Sequence, residues 1–365
     1  MSSTDENYWH NLQNMPWLEE EHKKRIIMHN EQQISGGDDF DEDERVEAIH
    51  KSLESAEVPD EERCQKLVHL LGTANINQRQ NLKQKYAAKF GGLNLKDELM
   101  KRLPASELIT KELLQTLTDT PAEHDAKYLQ KAMQGLGTNE DMLIEILVTR
   151  SNKQLLAIKS AYKALYNREL EKEVRAETSG TFKALLLDLL EANRDESHTA
   201  EEGKAKKLCT KREKLVWERM RKCSSKCWPT KAFANCVLSL MRQLKIINLK
   251  NNLQYELVAK HPIEKGIHAE FSGDSLRAFL ALVEFVRNGP VGQVAKLMQK
   301  CIEGKANEDL LVHLIYTYKE LNLLNILADE YNQKFKGPLA QAIQNSAKSA
   351  IAKNALLYFV KRATN

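Results

Sequence analysis

Residues 133–151 read MQGLGTNEDMLIEILVTRS, and residues 177–190 read ETSGTFKALLLDLL. The first stretch follows AEHDAKYLQKAM (122–133), in which Leu129, Ala132 and Met133 recur at helical spacing. The pattern breaks at Gly135-Leu136-Gly137. Thr138 is placed to cap a second helix, with Asp141 three residues on. Further helices are expected over about 152–166, 168–176 and 181–192, with Thr178-Ser179-Gly180 separating the last two. About five short helices thus fill one unit.

Working outward, the unit recurs. Tyr86 and Phe90, Tyr162 and Tyr166, and Tyr331 and Phe335 are pairs four residues apart, so each pair shares a helical face. A glycine or asparagine follows, then a leucine, as a helix end and restart require. A fainter copy has Tyr255 at the second position and Asn251 at the first. From Phe90 to Tyr166, Tyr255 and Phe335 the steps are 76, 89 and 80 residues. Four units follow from this spacing. The expected boundaries are an N-terminal tail over 1–45 and units over 46–120, 121–195, 196–289 and 290–365.

Composition agrees with an all-α chain. Of 365 residues, 42% are hydrophobic and 29% charged, while glycine (15) and proline (8) are scarce. No run of about 18 apolar residues suits a membrane span. The polar start, MSSTDENYWHN, has no apolar signal core, which points to an intracellular chain. Six cysteines are too few for a disulfide framework. Residues 1–45 hold twelve acids against four Lys/Arg, a net −8, leaving +11 on the rest. An acidic tail on a basic body favours an anionic partner surface. The run GGDDFDEDE (36–44) is expected to be a flexible linker. The aromatic cluster Tyr8, Trp9 and Trp17 makes the tail a candidate site for a protein partner.

The loop and the acid-bearing corner together resemble the annexin repeat. The resemblance extends over residues 46–365 as four repeats. It implies five helices per repeat, packed as a curved disc that binds acidic phospholipid through calcium held in loops. On the family pattern, carbonyls of Met133, Gly135 and Gly137 face the ion, and Glu177 closes the site. Calcium takes about six to eight oxygen ligands, so water or lipid phosphate completes the shell. Glu140 is a candidate support for a minor second ion.

The other repeats depart from this pattern. The first has LESAEVPDEE (53–62) without glycine, and Arg102 falls near the acid position. The fourth has IEGKANED (302–309), with Ala306 for the second glycine and Ser346 for the acid. Both sites are expected to be lost. In the third, SSKCWPT (224–230) places Pro229 where glycine is expected, but Glu270 in EFSG keeps the acid. Carbonyls of Ser224, Cys227 and Pro229 are the candidate ligands there, with Trp228 a candidate membrane contact.

Residues 203–231 carry eleven Lys/Arg against two Glu, a surface for anionic headgroups or nucleic-acid phosphates. Nucleic acid is not the expected partner. Cys209, Cys223, Cys227 and Cys236 lack paired CxxC spacing, so ordinary thiols are expected rather than a zinc site. Asp125 and Arg150 match family positions that line a central polar channel, and an ion pair between them is the expected reading; ion conduction is not adopted. No phosphate loop, metalloprotease motif or nucleophile elbow appears, so an enzyme is not expected. Sequence therefore leads to a calcium-dependent binder of acidic phospholipid, cytoplasmic and peripheral at membranes. The competing reading is a calcium-independent scaffold that uses the basic stretch and the tail.

Overall fold

Apolar residues at three- and four-residue spacing become helix along nearly the whole described chain. The computed structural model describes residues 40–55, 57–135, 137–194, 262–304, 308–346 and 349–364. Among these residues there are seventeen α-helices and no strand. The first group of five is α1 (Glu42–Glu54), α2 (Asp60–Gly72), α3 (Ile76–Lys89), α4 (Leu95–Arg102) and α5 (Leu108–Thr118). The second group is α6 (Pro121–Met133), α7 (Glu140–Thr149), α8 (Asn152–Tyr166), α9 (Leu170–Glu177) and α10 (Gly180–Leu190). Then come α11 (Ile263–Glu270) and α12 (Gly273–Asn288). The last five are α13 (Val291–Ile302), α14 (Glu308–Glu320), α15 (Leu324–Phe335), α16 (Leu339–Ser346) and α17 (Ala350–Thr364).

Side-chain devices recur with the helices. The three aromatic pairs all pack with ring centroids 4.9 Å apart. The Tyr162 hydroxyl donates to Gln130, and that of Tyr331 to Gln299, each 32 residues upstream. In the first repeat Glu54 stands where those glutamines stand. The Tyr86 hydroxyl instead meets His50 Nδ1 at 2.9 Å, and His50 stacks on Phe90 at 3.7 Å. Reciprocal caps open α3 (Asn75 with Gln78) and α8 (Ser151 with Gln154), each satisfying two orphan N–H groups. The aromatic helix of the fourth repeat differs from expectation in one detail. After α15 the left-handed residue is Lys336, at φ +53, one place before Gly337. Tyr255 and Asn251, the fainter copy, lie outside the described residues.

The acidic run does not end as a linker. Asp41 caps α1 by accepting from the N–H groups of Asp43 and Glu44, which holds its carboxyl below the usual range. Glu42, Asp43 and Glu44 fill the first turn, where negative charge suits the helix dipole. Lys85 on α3 then meets Glu42 at 3.2 Å and Asp43 at 3.0 Å. Residues 41–44 of that run are helix-forming because they cap, complement the dipole and find cations, while 36–39 lie outside the described residues.

The chain divides into two compact units, Met1–His124 with Val291–Asn365, and Asp125–Pro290. In the first unit, α5 packs on α14 and α2 packs on α17. Leu67, Leu71, Leu113, Leu117, Leu314 and Val360 are fully buried there. Each such side chain stabilises the fold by about 1.5–3 kcal/mol relative to exposure. Gly72 allows the Phe359 ring to lie close, since a Cβ there would sit 2.6 Å from Cε1. Arg79 meets Glu320 at 2.8 Å inside this unit, and Lys319 meets Glu320 at 2.7 Å. In the second unit, α12 packs on both α7 and α10 around Leu143, Ile146, Leu147, Leu186, Leu190 and Phe279. No helix among the described residues is long and apolar enough to cross a membrane.

Candidate calcium site in the second repeat

Helix α6 ends at Met133, whose side chain is only 6% exposed and so anchors the start of the loop. Asn139 N–H returns to the Ala132 carbonyl at 2.8 Å, which closes the loop over residues 134–138. Gly135 and Gly137 hold φ of +98° and +93°, where a side chain would strain the backbone, although a Cβ would meet nothing within 4 Å. These glycines therefore serve the path of the chain rather than close packing. Both are exposed. Among the described residues no backbone N–H donates to the carbonyls of Met133, Gly135 or Gly137.

The expected cap is displaced by one residue. Asn139, not Thr138, caps α7, its side-chain oxygen accepting from Met142 N–H at 3.1 Å. Thr138 instead donates its hydroxyl to the Glu177 carbonyl at 3.3 Å. That bond joins the glycine loop to the end of α9. Beyond Glu177 the chain is extended at Thr178 and Ser179 and turns into α10 at Gly180. Thr178 is buried and returns its hydroxyl to Val174 O at 2.5 Å, so the corner is fixed from below. Glu177 itself is exposed, and its carboxylate has no ion pair among the described residues. The loop carbonyls and the Glu177 carboxylate are all oxygen donors, the chemistry that suits a hard cation.

The flanking helices are stapled by a buried ion pair. Arg150, just past α7, donates to Asp125 of α6 through Nε at 2.7 Å and Nη2 at 2.9 Å, and meets Glu145 at 3.2 Å. This is the pair expected from the sequence. Glu140 sits in the first turn of α7, 3.8 Å from Arg277 of α12. Arg277 also pairs with Asp141 and, at 2.5 Å, with Asp274. Partial burial opposes its charge, but the hydrogen bond to Asp274 and the neighbouring carboxylates raise its pKa. Spacing gave no signal for this cluster, because Asp141 and Arg277 are 136 residues apart. The same holds for His124 and His313, fully buried and hydrogen-bonded at 2.8 Å.

The third-repeat corner copies that of the second. Phe271 (−118°, 152°), Ser272 (−139°, 168°) and Gly273 (+57°) follow Glu270. Thr178 (−125°, 164°), Ser179 (−140°, 167°) and Gly180 (+59°) follow Glu177. Ser224, Cys227, Trp228 and Pro229 lie outside the described residues, as do the tail aromatics and the basic stretch. In the first repeat, Arg102 at the end of α4 pairs with Glu98 at 2.5 Å and with Glu54 at 3.5 Å. In the fourth, Ser346 ends α16 and Ala306 lies outside the described residues.

Comparison with known proteins agrees with this architecture. The annexin family model matches residues 124–189, which span the loop and the Glu177 corner. Annexin A13 of Canis lupus familiaris is 36% identical over 282 residues, covering 76% of this chain and 84% of its own. Annexin A3 of Homo sapiens is 30% identical over 308 residues, covering 84% and 90%. The solved structure of annexin III matches with a TM-score of 0.74 at 29% identity, over 88% of this chain and 95% of its own. The chain belongs to the annexin family, whose members in general bind phospholipid in a calcium-dependent manner.

Proposed function

We propose that one calcium ion bridges the second-repeat loop to lipid phosphate. Carbonyls of Met133, Gly135 and Gly137 and the carboxylate of Glu177 supply the protein ligands. Water or a headgroup phosphate completes the shell, so the ion needs no deep pocket. Lipid then raises calcium affinity by the same factor that calcium raises lipid affinity. The observation that carries this reading is the exposed Glu177 carboxylate, which has no ion pair among the described residues, at a corner whose backbone carbonyl accepts from Thr138 of the glycine loop.

The remaining sites rank behind it. Glu270 presents a carboxylate on the same backbone path and supports a second site with Ser224, Cys227 and Pro229, with Trp228 at the bilayer interface. A minor ion at Glu140 must compete with Arg277. The first repeat has a cation where the acid is needed, and the fourth has Ser346, so neither binds calcium. The protein acts without catalysis, in the cytoplasm, as a peripheral binder of acidic membranes. The scaffold alternative leaves the Glu177 arrangement without a use. Isothermal titration of calcium into the full chain with short-chain phosphatidylserine tests the assignment. Glu177→Gln should abolish the tightest event, and Glu270→Gln should remove only a weaker one. Retention of the tightest event in Glu177→Gln would refute it.

A further inference from the structure

Arg277 ties the glycine loop to the third-repeat corner, and all of its partners belong to the second compact unit. Helix α12 opens directly after the Glu270–Gly273 corner and packs on α7, which opens directly after the loop. From the second turn of α12 the Arg277 guanidinium reaches both helix starts. It pairs with Asp141 and stands 3.8 Å from Glu140 in the first turn of α7, and it meets Asp274 in the first turn of α12 at 2.5 Å. Among the described residues neither Glu140 nor Asp274 pairs with another cation. One tethered positive charge thus answers carboxylates that come from two helices.

These contacts do for the backbone what a second calcium ion at Glu140 would do. They fix the start of α7 to a neighbouring helix, while the loop before it is closed independently by the Asn139–Ala132 bond and the Asn139 cap. The guanidinium also opposes an ion electrostatically. A calcium held by the Glu140 oxygen at about 2.4 Å would lie within about 6 Å of Arg277 Nη2. At that distance, even with the dielectric constant of water, repulsion between a divalent ion and the guanidinium lowers affinity about tenfold. A less polar setting makes the loss larger. Without the arginine the balance reverses, because the oxygens of Glu140, Asp141 and Asp274 then surround the space it fills, and oxygen donors suit a hard cation.

We infer that Arg277 is a specificity-determining residue of the second-repeat site: it stands in for a second ion, ties α7 to α12 in that ion's place, and holds the loop to a single calcium. The inference rests on the calcium reading of that loop.

The test counts bound calcium on the full chain by equilibrium dialysis with short-chain phosphatidylserine, beside thermal melts in calcium and in EGTA. Arg277→Gln should bind one more calcium per chain than the wild type, and the double variant Arg277→Gln, Glu140→Gln should return to the wild-type count. Arg277→Lys keeps the charge and should keep the wild-type count. In EGTA, Arg277→Gln should melt below the wild type, and calcium should raise its melting temperature by more than it raises that of the wild type. Glu140→Gln alone should leave the count unchanged, a result that does not depend on how well Arg277→Gln folds. The inference is overturned by an unchanged count in folded Arg277→Gln, by an extra ion that survives in the double variant, or by loss of an ion in Glu140→Gln alone. Glu177→Gln separates the two readings. If it binds calcium as the wild type does, the second-repeat reading fails. If it loses the tightest ion while Arg277→Gln gains none, only the Arg277 inference fails.

Discussion

Replacing Arg150 by methionine removes the guanidinium that staples α6 to α7 on either side of the glycine loop. Arg150 is 2% exposed, and the carboxylates it answers, Asp125 and Glu145, are 0% and 1% exposed. Breaking a buried pair by removing one partner costs about 3–5 kcal/mol, because the surviving charge stays out of water. Two surviving carboxylates place Arg150→Met near 4 kcal/mol. Asp125→Asn should cost about half as much, since Glu145 remains 3.2 Å from the arginine. The double variant should cost less than the sum of the two. Urea unfolding at pH 7, with amide exchange in peptides from 125–194, reads both the magnitude and the place. A loss below about 1 kcal/mol would refute the reasoning.

Three further outcomes follow from the packing. Gly137→Ala should cost about 1–2 kcal/mol of backbone strain at φ +93° without any clash, and calcium titration should show a clear loss of affinity. Gly72→Ala should cost about 2 kcal/mol, because its Cβ would stand 2.6 Å from the Phe359 ring, and Phe359→Leu should recover part of that in thermal melts. Burial pushes the Lys319 ammonium down to about 8, with the Glu320 charge opposing and the Arg79 charge assisting. The unfolded chain then binds more protons between about pH 8 and 10.5, so this group's contribution to stability rises with pH across that window. Lys319→Met should abolish the rise in melting temperature from pH 8 to 10. It should also stabilise the protein at pH 7 by about 2 kcal/mol, since Glu320 keeps Arg79 at 2.8 Å.

The helices and their repetition were legible because they rest on local periodicity. Tyr162–Tyr166 and its counterparts are one turn apart in any helix, and the structure packs all three pairs alike. The loop was legible through its two glycines, and the acid through its place before a Thr-Ser-Gly turn. The cap was misplaced because Thr138 and Asn139 are both good caps and adjacent; only the fold shows that the threonine is drawn to Glu177. Residues 41–44, the end of the acidic run, read as a spacer because their charge was counted without the α3 cation that answers Glu42 and Asp43. The Arg277 cluster and the grouping of the first and last repeats around one core depend on contacts between distant residues, for which linear spacing carries no signal. Annexin membership was legible in the residues of the second repeat, the stretch that the family model matches.

The central claim is that Glu177 closes the calcium bridge to lipid. Its most direct test is co-sedimentation of the full chain and Glu177→Gln with phosphatidylserine vesicles across a calcium titration, with EGTA as the zero point. The substitution removes one charge and leaves the shape nearly unchanged. The account predicts calcium-dependent pelleting of the wild type, and a midpoint raised more than about tenfold in Glu177→Gln with unchanged melting. Identical midpoints for the two proteins would contradict it.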